Sequence, residues 1–185
     1  MIEIRDVSFA YGDKKVFSHL TRTMPGRGVT ALRAPSGRGK TTLLRLMAGL
    51  LVPDEGSICG LEGVRIGWVF QENRLLPWYS VLRNVAAVSD EETAREELSA
   101  LGLGDNLGDL PSDLSGGMAR RAAIARAIAY RPQALFLDEP FTGLDPALRA
   151  LCAKRLTSAA GLIILVTHEE GDLKLFGDPY IVDLP

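Results

Sequence analysis

A glycine-rich stretch in the first quarter of the chain has the residue types that bind phosphate. It reads APSGRGKTT over residues 34–42 and ends in Gly39, Lys40 and Thr41, the closing residues of the P-loop pattern. Backbone N–H groups of such a loop converge on a phosphate, the lysine adds a mobile positive charge, and the hydroxyl suits Mg²⁺. Ala34 replaces the opening glycine of the pattern. Because Ala34 falls at a predicted strand end, before the concave part of the loop, we expect a negative φ there and an intact phosphate site.

A pair of carboxylates follows the apolar run 135–137. Asp138 would lie at the carboxyl end of a strand, where Mg²⁺ and phosphate sit beside a P-loop. Glu139, the next residue, would then polarise a water molecule for attack on the γ-phosphate. Taken singly, the glycine-rich stretch could be an ordinary turn, and the carboxylates could cap a helix or face water. Their occurrence together on one chain favours nucleotide chemistry.

The elements that must position these residues alternate along the chain. Short apolar runs separated by helix-like segments are typical of a parallel sheet covered by helices. The predicted central strands are 29–33, 66–70, 134–138 and 162–166, with a helix over 40–50 and a last strand near 180–183. The N-terminal part, to about residue 23, alternates apolar and polar residues and predicts an antiparallel edge sheet.

Residues 81–131 have a different composition and predict a helical subdomain inserted into the α/β core. The acidic stretch 89–103 carries Ala94, Leu98 and Leu101 at helical spacing, and a second helix is expected over 115–130. Its basic residues are interpreted as a solvated helix face: Arg120, Arg121 and Arg126.

Composition narrows the classes of protein. A chain of 185 residues with 46% hydrophobic and 24% charged residues is typical of one soluble domain. A net charge of −2 gives no reason to expect nucleic acid, which usually requires a basic surface. Cys59 and Cys152 suggest neither a metal site nor a disulfide framework, as in a reducing cytosol. No apolar run reaches the ~20 residues that span a bilayer, so a membrane role would need a partner.

The stretch 114–117, Leu-Ser-Gly-Gly, completes a set of motifs. Followed by two arginines and an alanine-rich helix, it resembles the signature of the ATP-binding cassette (ABC) ATPases. Together with the P-loop and the Asp138 strand it gives three motifs in the order of that family. Four smaller motifs agree with the same family, and they contain Tyr11, Gln71, Asp145 and His168.

The resemblance implies a site for ATP and Mg²⁺, with Glu139 as the general base and Tyr11 stacked on adenine. The implied catalytic residues are Glu139, His168, Lys40 and Gln71. The implied nucleotide-binding residues are Tyr11, Ser36, Gly37, Arg38, Gly39, Lys40, Thr41, Thr42, Ser115, Gly116, Gly117 and Asp145. The implied metal ligands are Thr41, Gln71 and Asp138.

The resemblance also implies the fold and the partners. It predicts one ATP-binding cassette over 1–185: a P-loop NTPase core with a mainly parallel sheet, an antiparallel N-terminal β-subdomain and a shortened helical subdomain at about 81–131. Two copies would form an ATP-dependent head-to-tail dimer, in which Ser115 to Gly117 of one copy face the γ-phosphate held by the other. The implied partners are a transmembrane permease and, through it, a solute-binding protein. The implied location is cytoplasmic, on the inner face of the cell membrane.

Several positions depart from the family pattern. Met118 stands where glutamine is frequent, Arg120 where a glutamine commonly precedes arginine, and Arg38 where a small residue is usual. We expect the first two changes to matter little, because neither touches the 115–117 stretch, and we expect the Arg38 side chain to point outward.

The stretch QENRLLPW over 71–78 resembles the corresponding region of nitrate, sulfonate and taurine importer ATPases. The apolar residues Leu75, Leu76, Trp78 and Tyr79 either contact a transmembrane partner or pack inside the helical subdomain. We therefore predict an ATPase subunit that powers an importer of small solutes. Two alternatives stay open: a nucleotide-binding regulatory or structural module with little turnover, and a non-transport cassette ATPase, which the lack of basic charge disfavours.

Overall fold

Two β-sheets form the framework of the computed structural model, which describes residues 1–184. The antiparallel sheet contains β1 (Ile2–Tyr11), β2 (Lys14–Met24) and β4 (Glu55–Cys59) in the order β2-β1-β4. The parallel sheet contains β3 (Gly28–Arg33), β5 (Ile66–Val69), β6 (Ala134–Asp138), β7 (Leu162–Val166) and β8 (Tyr180–Asp183) in the order β5-β6-β7-β3-β8. The predicted P-loop fold with a parallel core sheet and an antiparallel N-terminal sheet is confirmed.

Strands β6 and β7 are buried along their whole length because both faces of the parallel sheet are covered. Phe136 and Ile164 belong to the core on the side of the antiparallel sheet, while Leu137 and Leu165 belong to the core on the opposite side. This alternation follows the two-residue period of a strand. The parallel strands at 134–138 and 162–166 therefore place their C-terminal residues at the same edge of the sheet.

Six α-helices complete the fold of the described residues. They are α1 (Lys40–Met47), α2 (Val81–Ala86), α3 (Glu91–Ala100), α4 (Gly116–Ala129), α5 (Pro146–Ala159) and α6 (Glu170–Leu175). Four N-termini are capped by a side-chain oxygen that accepts a hydrogen bond from the first turn: Ser80, Asp90, Ser115 and Asp145. Helix α1 ends earlier than predicted, since Gly49 has a φ of +70° just after the last turn. Within residues 1–184, none of the helices combines the length and apolar composition needed to cross a membrane.

The interpretation of the α4 arginines as a solvated face is wrong. Arg120 is only 4% exposed, and Arg121 and Arg126 are also partly buried. All three donate hydrogen bonds to main-chain carbonyls of neighbouring segments: Arg120 and Arg126 to the chain that follows β5, Arg121 to the end of the α3 region. Such carbonyls have no partner in regular secondary structure and require donors from elsewhere. The arginines therefore pack helix α4 against loops.

Candidate active site

One cavity of about 510 Å³ lies at the carboxyl ends of the central strands β3, β6 and β7. This is the edge at which ligands bind in open parallel sheets. Most residues predicted for the site line this cavity: Tyr11, Ser36, Gly37, Gly39, Lys40, Thr41, Thr42, Gln71, Asp138, Glu139 and His168. Arg38 is exposed and does not line it, and neither do the residues of the 115–117 stretch or Asp145.

Sequence reasoning missed four residues of the cavity wall. Lys14 and Val16 come from β2, which returns beside Tyr11 after a tight turn at Gly12. Thr142 and Val166 are the other two, and the Thr142 hydroxyl donates a hydrogen bond to the Glu139 carbonyl at 3.2 Å. Lys14 and Thr142 lie within three residues of Tyr11 and Glu139, so proximity along the chain was the available signal.

The phosphate-binding loop depends on glycine at two positions. Gly37 has a φ of +78° and Gly39 a φ of +83°, both in the left-handed region that favours glycine. A Cβ at position 39 would lie 2.5 Å from Val16 Cγ1 and 2.8 Å from the Phe17 ring. Ala34 is not among the residues with positive φ in the described chain, so the negative φ expected for it is confirmed. The alanine therefore sits where the loop has no need of glycine.

Changing Ala34→Gly is expected to leave the affinity for Mg-ATP within about twofold of the wild type, which corresponds to roughly 0.4 kcal/mol. The reason is that the backbone at this position already has a conformation open to any residue. Isothermal calorimetry with a non-hydrolysable ATP analogue measures the change, with Gly39→Ala as a variant that should lose binding. A large gain in affinity for Ala34→Gly would show that the alanine is a defect.

Lys40 places a positive charge inside the loop. Its side chain is almost covered, at 7% exposure, and Nζ donates hydrogen bonds to the Ala34 carbonyl at 2.7 Å and the Pro35 carbonyl at 3.1 Å. Burial lowers the pKa of the ammonium, an effect opposed by the nearby Glu139 and Asp138 carboxylates. A desolvated cation beside a cavity interacts strongly with an anion bound there.

Thr41 and Asp138 form a compact pair of oxygen donors. The Thr41 hydroxyl donates to Asp138 Oδ2 at 2.7 Å, and Asp138 is 3% exposed. Hydroxyl, carboxylate and amide oxygens are the ligands that Mg²⁺ prefers, and Gln71 brings an amide to the same cavity. Residues 1–184 contain no cluster of three or more His, Cys, Asp or Glu side chains that would hold a metal alone. The donor set thus fits a Mg²⁺ ion that shares its coordination with phosphate, the usual mode for this ion.

Glu139 has the features of a general base. Its backbone adopts a φ of +50°, and its N–H donates to the Val166 carbonyl at 2.9 Å, which holds the residue at the strand end. Oε1 is buried without a hydrogen-bond partner and lies 3.4 Å from His168 Nε2. Burial raises the pKa of this carboxyl, although His168 opposes the shift. A buried carboxylate with an unsatisfied oxygen at a cavity wall is ready to accept a proton.

The segment around His168 is held by Arg149 of helix α5. Arg149 donates to the Leu144 carbonyl at 3.0 Å and to Asp172 Oδ1 at 3.1 Å, and it also forms an ion pair with Glu169. His168 Nε2 itself lies 3.4 Å from Ser36 Oγ. The histidine therefore bridges the phosphate-binding loop and Glu139, on a backbone tied to the segment before α5.

The 115–117 stretch does not line the cavity of its own chain. Ser115 caps α4 by accepting a hydrogen bond from the Met118 N–H at 3.2 Å, and Ser115 and Gly116 are exposed. A Cβ on Gly117 would lie 3.2 Å from the Gly143 carbonyl, so this helix start packs closely against the segment that leads to Asp145. The exposed N-terminus of a 14-residue helix is available to an anion from outside the chain.

The apolar residues after Gln71 divide between core and surface. Leu75 packs against the core cluster that contains α4, whereas Trp78 is 70% exposed. Leu76 lines a second cavity, of about 470 Å³, together with other apolar side chains that include Trp68 and Phe70. Packing within the chain therefore holds for Leu75. Contact with a transmembrane partner stays a prediction, for which Trp78 has the required exposure.

Comparison with known proteins relates this geometry to one family. The family model described as ABC transporter matches residues 17–142. The intermembrane phospholipid transport system ATP-binding protein MlaF of Escherichia coli K12 is 36% identical over 207 residues, covering 96% of this chain and 77% of MlaF. The aliphatic sulfonates import ATP-binding protein SsuB 1 of Pseudomonas aeruginosa UCBPP-PA14 is 38% identical over 189 residues, covering 91% of this chain and 76% of that protein.

Solved structures give the same result for the fold. The dimeric ATP-binding cassette MJ0796, in a post-hydrolysis state bound to ADP and Pi, superposes with a TM-score of 0.84 at 25% identity. The match covers 100% of this chain and 94% of that one.

Proposed function

The chain belongs to the ABC transporter family and is an ATP-hydrolysing subunit of that family, and we propose that it powers the import of a small solute. One observation carries the import proposal. The exposed Trp78 closes the stretch that begins at the cavity residue Gln71. The sequence of this stretch resembles that of sulfonate and related importer ATPases, and one sulfonate importer ATPase is 38% identical over 91% of the chain. A conformational change at the nucleotide would thus need to pass through only the eight residues 71–78 to reach a surface that could contact a membrane partner.

ATP is proposed to lie along the cavity from Tyr11 to Glu139. Tyr11 packs its edge against Phe9, with ring centroids 5.0 Å apart, and is exposed enough to stack on adenine. The triphosphate would bind the loop before α1, with Lys40 beside the terminal phosphates. Thr41, Asp138 and Gln71 would hold Mg²⁺, which when bound neutralises charge on the β- and γ-phosphates.

Hydrolysis is proposed to use Glu139 and His168 together. Glu139 accepts a proton from a water molecule as the water oxygen bonds to the γ-phosphorus. The bond between that phosphorus and the oxygen bridging to the β-phosphate breaks, and its electrons stay on ADP. His168 donates a hydrogen bond to the γ-phosphate, and Lys40 stabilises the charge of the transition state. The products are ADP and phosphate.

A second copy of the chain is proposed to complete the site. The 115–117 stretch presents an anion-binding helix start that its own cavity does not use. In a head-to-tail dimer this helix start would meet the γ-phosphate of the partner, with Asp145 close to the interface. The similar cassette MJ0796 is dimeric in two solved structures, one of them bound to ADP and Pi, which supports this assembly.

The membrane side of the proposal rests on the exposed Trp78 and on the 470 Å³ cavity lined by Leu76 of the same stretch. A transmembrane permease would contact this face, and a solute-binding protein would deliver the cargo to the permease. The chain would then be cytoplasmic and peripheral on the inner face of the cell membrane. A second candidate is the movement of a phospholipid, because the MlaF relatives are as similar to the chain as the sulfonate importers are.

Trp78→Ala is expected to weaken binding to the permease about 30-fold, since an exposed aromatic at the centre of an interface typically carries 2 kcal/mol or more. Tyr180→Ala is the matched control, because Tyr180 is 50% exposed on β8, at the opposite edge of the parallel sheet from β5. The measurement is co-purification of the tagged chain with its membrane subunits in mild detergent. Equal loss of the complex in both variants would contradict the assigned surface.

The cargo class is tested on the same complex in proteoliposomes. We expect phosphate release to rise when a binding protein loaded with an aliphatic sulfonate or a comparable small solute is added. If phosphate release rose only when phospholipid was transferred, and not when the loaded binding protein was added, the result would support the lipid candidate and overturn the import of a small solute.

A further inference from the structure

Helix α4 holds the chain after β5 through two arginine side chains. Arg120 donates to the Phe70 carbonyl at 2.6 Å and also to the Gln71 carbonyl. Arg126, further along the same helix, donates to the Asn73 carbonyl at 3.0 Å and the Arg74 carbonyl at 2.8 Å. The four bonds cover almost every residue of the segment 70–74.

This segment depends on those bonds because regular structure does not hold it. It follows the last residue of β5, and none of the main-chain hydrogen bonds outside helices and strands of the described chain involves residues 70–74. Arg74 has a φ of +47°, an uncommon conformation for a residue other than glycine. The path of the segment is therefore set by tertiary contacts, and the two guanidinium groups supply the polar ones.

Arg120 acts directly at the residue that faces the cavity. Gln71 lines the cavity, and its carbonyl accepts a hydrogen bond from the Arg120 guanidinium. The Phe70 carbonyl belongs to the peptide before the Gln71 Cα, and the Gln71 carbonyl belongs to the peptide after it. Holding both carbonyls therefore fixes the two peptide planes on either side of the Gln71 Cα, and with them the direction in which the Gln71 side chain leaves the backbone. The planar fork of arginine can span two carbonyls in this way, whereas lysine cannot present two donors in a fixed plane.

The surroundings of Arg120 indicate more than a packing role. The guanidinium is 4% exposed and its Nε has no hydrogen-bond partner, so the group tolerates an unpaired donor in order to reach the two carbonyls. No carboxylate forms an ion pair with it among residues 1–184, although the charges of Asp138 and Glu139 attract it. Burying a cation without an ion-pair partner costs folding free energy, which its hydrogen bonds to the 70–71 carbonyls only partly offset. We therefore expect a role of Arg120 beyond packing.

We propose that Arg120 is a positioning residue that aims Gln71 at the magnesium site, and that it joins the pose of Gln71 to helix α4. The proposal rests on the proposed function, in which Gln71 is a ligand of Mg²⁺. Arg120 itself does not contact the ion or the nucleotide. Ser115 caps the N-terminus of α4, the helix start that would bind the partner's γ-phosphate. Helix α4 would therefore link Mg²⁺ binding in its own chain's site to closure of the partner's site.

The test compares the affinity for AMP-PNP, a non-hydrolysable ATP analogue, with and without Mg²⁺. Arg120→Gln keeps a polar side chain but shortens it and removes the fork. We expect the gain in affinity on adding Mg²⁺ to fall about 10-fold, the usual cost of losing a group that orients a metal ligand. Affinity in EDTA should stay unchanged, since the adenine and phosphate contacts remain.

Arg121→Gln is the matched control. Arg121 is the next residue of the same helix and also donates to two main-chain carbonyls, those of Leu101 and Gly102. It donates no hydrogen bond to residues 70–74 in the described chain. The control should lower thermal stability as much as Arg120→Gln does and leave the response to Mg²⁺ unchanged. Equal responses to Mg²⁺ in the two variants would overturn the proposal.

Gln71→Ala separates this proposal from the proposed function. If Arg120 acts through Gln71, the double variant should respond to Mg²⁺ no more weakly than Gln71→Ala alone. A reduced response in Gln71→Ala with a normal one in Arg120→Gln would overturn the positioning role and leave the metal role of Gln71 intact. A normal response in Gln71→Ala would overturn both.

Should Arg120→Gln fail to fold, Arg120→Lys provides the same measurement. It keeps the charge and can reach one carbonyl, so a smaller loss of the Mg²⁺ response is expected. An unchanged response in a folded Arg120→Lys, together with faster amide exchange over 70–74, would show that the segment can loosen without effect on the metal and would overturn the proposal.

Discussion

Glu139→Gln should lower ATP turnover by about 10²- to 10⁴-fold, the range typical for removal of a general base. The amide keeps the size and position of the carboxylate but does not accept a proton from water. Nucleotide binding should persist, because Lys40, Thr41 and the loop backbone are unchanged. Phosphate release measures turnover, and calorimetry with ATP measures binding. Turnover equal to that of the wild type would show that the assigned base is wrong.

The dependence of turnover on pH provides a second test of Glu139 as the general base. Burial raises the pKa of Glu139, and only the ionised carboxylate accepts a proton. Turnover of the wild type should therefore fall on the acid side at a pH above the ordinary range of glutamate. The residual turnover of Glu139→Gln should lack this acid limb. An acid limb that persists unchanged in the variant would assign it to another group.

The same change should raise the melting temperature at neutral pH. A carboxyl whose pKa is higher in the folded chain than in the unfolded chain destabilises the fold at pH above the folded pKa, and this contribution disappears below the unfolded pKa. Glu139→Gln should thus be more stable than the wild type at pH 8 and equal to it at low pH. Glu169→Gln is the control of opposite sign, because the hydrogen bond and charge of Arg149 lower the pKa of Glu169.

Several residues that were predicted from the sequence and found at the cavity have positions that depend on their immediate neighbours in the chain. Lys40 and Thr41 belong to a strand, a loop and a helix that are consecutive in the chain, and Asp138 ends an apolar strand. Parallel strands place such C-terminal residues at one edge whatever their order in the sheet. The motif at each strand end was therefore sufficient to bring these side chains together.

The residues that sequence reasoning missed depend on contacts between distant segments. Val16 reaches the cavity wall because the antiparallel sheet folds over Gly39, where its side chain would be 2.5 Å from an added Cβ. The direction of Arg120 depends on the path of residues 70–74, which has no signal of its own. A row of arginines on a helix is the same sequence pattern whether it faces water or loop carbonyls, so the solvated interpretation failed for a physical reason.

The helical region is an intermediate case. The periodic residues Ala94 and Leu98 of α3 are fully buried, as helical spacing suggested, and α4 begins one residue after its Ser115 cap. What sequence could not provide is that α2, α3 and α4 pack on one another and on the same face of the parallel sheet as Leu137. Helix periodicity indicates which face is apolar and not which element will cover it.

Lys40→Met should weaken binding of the Mg-bound ATP analogue by about 10²-fold or more. Removing one partner of a buried, hydrogen-bonded charge pair costs about 2–5 kcal/mol, and about 2.7 kcal/mol corresponds to 100-fold. The ammonium of Lys40 is nearly covered and lies within the field of Asp138 and Glu139, so its loss leaves two carboxylates facing the phosphates without compensation. Methionine fills a similar volume, which favours retention of the fold.

Lys14→Met is the control that separates the effect of the buried Lys40 charge from the effect of the total charge of the cavity. Lys14 lines the same cavity and carries the same charge, but it is exposed, and solvent and salt screen an exposed charge. Its loss should change the affinity less than about fivefold, and circular dichroism should report both variants as folded. If the two lysines contributed equally, binding would depend on the total charge of the cavity. A large effect of Lys40→Met alone would instead locate the phosphate at the loop where Nζ is held by the Ala34 and Pro35 carbonyls.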